Sequence, residues 1–102
     1  MKQLTLIVHA DVQRALADAL RALPAVTGFT FTPIEGHGPQ DERDALLSAR
    51  DRVVGYVPHV RVDILLEDRD VEAVLEALQA SNGGVAGRGV YWVTRLERQG
   101  RL

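Results

Sequence analysis

Arg88, Arg95, Arg98 and Arg101 crowd the last fifteen residues of the chain, opposed there only by Glu97. A guanidinium presents its N–H donors in a planar fork that matches phosphate or carboxylate. The cluster is therefore either an anion site or a solvated basic face. The three histidines, His9, His37 and His59, are the other residues with ligand chemistry. None stands at a local ligand spacing such as H-x-x-x-H, so a metal site would have to be assembled by the fold or between subunits. His37 lies between two glycines, close to Asp41 and Glu42, and His59 follows Pro58. These two are the candidate metal ligands. Covalent catalysis lacks its parts. There is no cysteine, Ser48 and Ser81 have no local base, and Asp41 and Glu42 are neighbours in a stretch unsuited to preorganised catalysis. No catalytic residue is expected, and the chain reads as a non-enzyme.

Those residues must be positioned by the rest of the chain, and its composition sets what that can be. With 102 residues, 46% hydrophobic and 25% charged, one packed domain over residues 1–102 is expected. A net charge of −2 offers no global attraction to nucleic acid or to anionic lipid. No apolar run approaches the roughly 18 residues that would span a bilayer. A cytoplasmic protein without direct membrane insertion is the expectation. The absence of cysteine excludes disulfides and thiolate metal sites.

The pattern of apolar residues orders the elements. Leu4, Leu6 and Val8 alternate with Thr5, Ile7 and His9 as in a strand. Val12, Ala15, Leu16, Ala19, Leu20 and Leu23 recur at helical spacing, with Asp11 predicted as N-cap and Pro24 as the stop. "GFTFTPIE" is a second strand whose Pro33 predicts an unpaired side. Val60, Val62, Ile64 and Leu66 mark a third strand. Asp70 is the predicted cap of a helix with the stripe Val71, Val74, Leu75 and Leu78, and "GVYWVTRL" is the last strand. The fold class is therefore α+β, ferredoxin-like βαββαβ: a four-stranded antiparallel sheet with two helices on one face. The strands carry apolar residues on their second side too, Ile7 beside Leu6 and Leu65 beside Ile64, which predicts association through the uncovered face. Between strands 2 and 3 runs a polar interruption of about residues 36–54. Loops of that length in compact domains are usually functional or disordered.

"TGFTFTPIEGHGPQ" resembles the stretch leading into the large T-loop of PII signalling proteins, and "VVGYVPHVRVDILLED" resembles the segment that leaves it. "NGGVAGRGVYWVTRLER" is similar to the PII B-loop, last strand and start of the C-loop, so the likeness runs collinearly over nearly the whole chain. "YWV" near a terminal "GRL" also looks like a PII-like group of uncharacterised domains, some groups of which are associated with heavy-metal efflux. The resemblance implies a homotrimer, a nucleotide effector in each intersubunit cleft, and a T-loop that contacts a target protein such as a membrane transporter or efflux pump. It places Gly36, Gly38 and Gln40 at the phosphate-wrapping loop base, Gly87, Arg88 and Gly89 in the B-loop, and Arg98 near a phosphate-contacting arginine. Exposed backbone N–H groups at such glycines can cradle an anion. The family's lysines are absent from two of these places: Val90 follows Gly89, and His59 stands after Pro58. The family's modified tyrosine falls at Leu47, so control by uridylylation there is not expected. The alternative is a divalent metal-binding role like that of CutA, a metal-tolerance family related in fold.

Overall fold

The computed structural model describes residues 1–37, 57–80 and 89–102. The described strands are β1 (Lys2–His9), β2 (Phe29–Gly36), β3 (Val57–Leu66) and β4 (Gly89–Arg95), and the helices are α1 (Gln13–Arg21) and α2 (Val71–Ala80). They form one sheet in the order β2-β3-β1-β4, with every neighbouring pair antiparallel. This is the ferredoxin-like arrangement. Pro33 lies in β2, which is an edge strand, where a residue that cannot donate to the ladder is tolerated. Most of the predicted loop, like Gly38, Gln40, Gly87 and Arg88, lies outside the described residues.

Alternation on β1 and β3 turns Leu4, Leu6 and Val8 to the same side as their register partners Ile64, Val62 and Val60. Leu16 and Leu20 of α1 and Val74, Leu75 and Leu78 of α2 are buried in the same cluster, with Phe29 and Phe31 packed against it. Both helices therefore cover one face. Phe29 and Phe31 meet edge-on with ring centres 5.4 Å apart.

The helix starts differ from the sequence expectation. Asp11 does not cap α1. The chain leaves β1 directly into a single 3-10 turn, Ala10–Val12, and the N-cap of that turn is His9, whose Nδ1 accepts the Asp11 backbone N–H at 3.0 Å. Asp11 lies two residues past that cap, within the first turn, where a carboxylate is favoured by the helix dipole. Asp70 likewise sits inside a 3-10 turn, Asp68–Asp70, with Glu67 at the cap position. In both places a tight turn inserted before the helix moves the cap upstream of the acidic residue. At the other end α1 finishes at Arg21, and Leu23 and Val26 N–H groups bond three residues back, winding the chain down around Pro24.

Candidate functional site

The end of the sheet where the loops leave is built around two histidines. Register places Ile34 of β2, His59 of β3 and His9 of β1 in one row. The imidazoles of His9 and His59 lie 5.9 Å apart, centre to centre, tilted by 59°. His9 is 5% exposed, and besides accepting the Asp11 N–H its Nδ1 lies 3.5 Å from the Asp11 carboxylate Oδ2. The ring of His59 lies on Gly36: a Cβ there would stand 2.2 Å from Nδ1. Gly36 is required by this close approach, because any side chain would drive the ring off its seat. His37 is exposed and turned elsewhere, its Nε2 3.0 Å from Glu35 Oε2. Thus the described geometry joins His59 to His9, while His37 joins Glu35.

The described anion-site candidates occupy separate corners. Gly36 ends β2 at one edge of the sheet and Gly89 begins β4 at the other, at the same end, with β3 and β1 between them. Gly89 lies level with Pro33 rather than Gly36, so three strand spacings and a three-residue offset put the two glycines about 17 Å apart. A Cβ on Gly89 would come within 2.6 Å of the Ile7 carbonyl oxygen, so that glycine also serves a close backbone approach. Arg98 lies at the opposite end. Arg95 pairs with Lys2, and Leu96 N–H bonds the Met1 carbonyl at 3.2 Å, so Arg98 stands roughly the 20 Å length of β4 away from Gly89. One protomer does not bring Arg98 to the glycine end.

The uncovered face carries a third feature, a polar network that spacing alone did not single out. Asp63 accepts from Gln3 Nε2 at 2.8 Å, from Thr5 Oγ1 at 2.9 Å and from Arg61 Nε at 3.1 to 3.2 Å. Arg61 also lies over the Trp92 ring, 5.8 Å from its centre. Burial works to raise the Asp63 carboxyl, but the hydrogen bonds from Arg61, Gln3 and Thr5 together outweigh it and hold the group below its ordinary value. The signal available in the sequence was the outward phase of the strands, which sets Gln3 and Thr5 beside Arg61 and Asp63. Around this network Leu65, Val90 and Trp92 are exposed, as are Tyr91 and Val93 on the other side of β4. β4 is exposed on both sides along its length.

Among the described residues no helix is long and apolar enough to cross a membrane, and no group of three or more metal-ligating side chains is gathered. The chain is 34% identical to a nitrogen regulatory protein P-II of Rhizobium leguminosarum bv. viciae, over 93% of this chain and 88% of that one. It is 30% identical to the P-II protein of Azospirillum brasilense, over 100% and 91%. The crystal structure of a DUF3240 family protein from Shewanella baltica OS155 has the same fold, with a TM-score of 0.76 at 22% identity over 99% of this chain and 94% of that chain. A ferredoxin-like sheet whose β2 ends and β4 begins at a glycine, joined to this likeness, defines a protein of the PII-like class. Within that class the chain belongs to the family described as "Protein of unknown function (DUF3240)", whose pattern matches residues 1–102.

Proposed function

We propose that this is a PII-like regulatory protein that binds a small effector, an adenine nucleotide or a related anion, in clefts between the subunits of a homotrimer. It then controls a target protein, a transporter or efflux system, through the loop between β2 and β3. The observation that carries the reading is the likeness to nitrogen regulatory proteins over the full length of the chain. The separation of Arg98 from Gly36 and Gly89 supports the intersubunit part of it: an anion held by glycine N–H groups and by Arg98 takes them from two copies. The uncovered face, with Leu65 and Trp92 around a satisfied polar centre, supports the trimer.

Calorimetric titration with ATP, ADP and AMP tests the effector. A guanidinium paired to a phosphate contributes about 1.5 to 3 kcal/mol, so Arg98→Ala or Arg88→Ala is expected to weaken the bound nucleotide about tenfold or more. Light scattering is expected to give the mass of three chains. A monomer mass at micromolar concentration, or nucleotide binding indifferent to both arginines, overturns the reading.

A further inference from the structure

We propose that His9 and His59 form a two-imidazole site for a divalent transition-metal ion, with Asp11 as the carboxylate that positions His9. The inference does not depend on the nucleotide reading, and it pairs His59 with His9 rather than with His37, the other candidate ligand named from the sequence.

Three observations converge on it. The two residues are direct register partners across β1 and β3, so both side chains leave the same face at the same level. Their rings lie 5.9 Å apart. An imidazole nitrogen sits about 2.0 to 2.1 Å from a bound zinc ion, which puts the ring centre about 3.2 Å from the metal. Two rings on one ion stand about 6.4 Å apart when opposed and about 5.2 Å apart at a tetrahedral angle, so the observed 5.9 Å falls between these and a tetrahedral site requires the rings to close by less than about 1 Å. Finally, the Asp11 carboxylate oxygen stands 3.5 Å from His9 Nδ1. A metal-bound histidine characteristically passes its other ring N–H to a carboxylate.

The proton accounting is specific. In the structure Nδ1 of His9 accepts the Asp11 backbone N–H, so in the neutral ring the proton sits on Nε2. A metal bound at Nε2 requires that proton to leave, and the ring to carry one on Nδ1 instead, shared with the Asp11 carboxylate. The Asp11 N–H then loses its acceptor at the start of the turn that leads into α1. Metal binding is thereby coupled to the first turn before the helix. Two imidazoles leave the remaining positions of a tetrahedral ion to water or other donors, and imidazole ligation suits Zn(II), Ni(II) or Cu(II).

The probe is Zn(II) itself, titrated calorimetrically into chelator-treated protein, with Co(II) absorption as the spectroscopic check. Wild type is expected to bind saturably. His59→Gln and His9→Asn should each weaken binding at least tenfold; Asn retains an oxygen acceptor for the cap, and circular dichroism checks that the variant is folded. If His9→Asn does not fold, His59→Gln decides. Asp11→Asn should weaken Zn(II) about tenfold and change the number of protons released on binding, measured in buffers of different ionisation enthalpy, an effect that a purely structural role would not produce. His37→Ala should bind as wild type. Absence of saturable Zn(II) binding by the wild type, wild-type affinity in His59→Gln or in folded His9→Asn, or an equal loss in His37→Ala overturns the proposal. An ATP titration of the same metal-free proteins reports on the nucleotide reading separately.

Discussion

The two faces of the sheet solve opposite problems with the same four strands. On the covered face Leu4, Val62 and Ile64 reach complete burial against α1 and α2, and among the described residues no fully buried side chain there is polar. On the uncovered face Thr5 is also fully buried, but its neighbours are Asp63, Gln3 and Arg61, bound to one another, with Trp92 and Leu65 left partly open. A face that is to meet water permanently does not need a buried hydroxyl tied to a carboxylate with three donors. A face that is to meet another protein surface does, because every polar group it carries must be satisfied before it is closed off.

The largest effect that separates the faces is a cavity. Leu4→Ala removes most of a side chain with 0% exposure, and such substitutions cost about 2 to 5 kcal/mol. Denaturant titration is expected to show that loss whatever the protein concentration, since the covered face is closed within one chain. If the loss shrank at high protein concentration, the two faces would not be independent.

On the uncovered face the corresponding change is Trp92→Ala. Trp92 is 42% exposed and is held under Arg61. Large aromatic anchors at interfaces contribute about 2 kcal/mol or more to association, so light scattering on dilution is expected to show dissociation at concentrations at least tenfold higher than for wild type. The far-ultraviolet spectrum at high concentration should remain that of a folded protein. Unchanged association would remove the uncovered face from the assembly and leave its apolar residues without a partner.

The contrast also governs what could be read from the residues alone. The covered face was legible because burial imposes strict alternation: Leu4, Leu6 and Val8, and Val60, Val62, Ile64 and Leu66, can be assigned to one side from the sequence, and with the helical stripes they fix the fold class. The edge position of β2 was legible from Pro33. The network around Asp63 was not, because Gln3, Thr5, Arg61 and Asp63 are ordinary strand residues until register sets Thr5 opposite Asp63. The same holds for His9 and His59, some fifty residues apart in the chain and adjacent only through pairing. Nearness in sequence to Asp41 and Glu42 favoured His37, whereas the described geometry gives it Glu35. The caps were misplaced for a related reason: a 3-10 turn before each helix shifts the free N–H groups by a few residues, and polar residue type alone does not register such a turn. The loop residues Gly38 and Gln40, with Gly87 and Arg88, lie outside the described residues, and their roles rest on the resemblance to PII proteins.

The smallest effect that still distinguishes the faces is electrostatic. The Asp63 carboxyl is held below its ordinary value, burial raising it and the bonds from Arg61, Gln3 and Thr5 more than offsetting that rise. A group whose folded value is depressed contributes stability that is fully present above its unfolded value, near 3.9, and lost as the pH falls through its folded value. Asp63→Asn keeps an oxygen that can accept from Thr5 but gives up the charge opposite Arg61, a loss of about 1 kcal/mol at neutral pH. The gap between wild type and variant is expected to stay constant from pH 7 to about pH 5 and to close below about pH 4. Asp68 is also held low, first by its hydrogen bond from the Met1 ammonium, with burial opposing and Lys2 adding to the lowering, but it titrates identically in both proteins and cancels from the difference. Leu4→Ala, by contrast, should show no such closure, since it removes only apolar contacts within the core cluster. A gap for Asp63→Asn that persisted unchanged to pH 3 would mean that the network stabilises the face by shape rather than by charge.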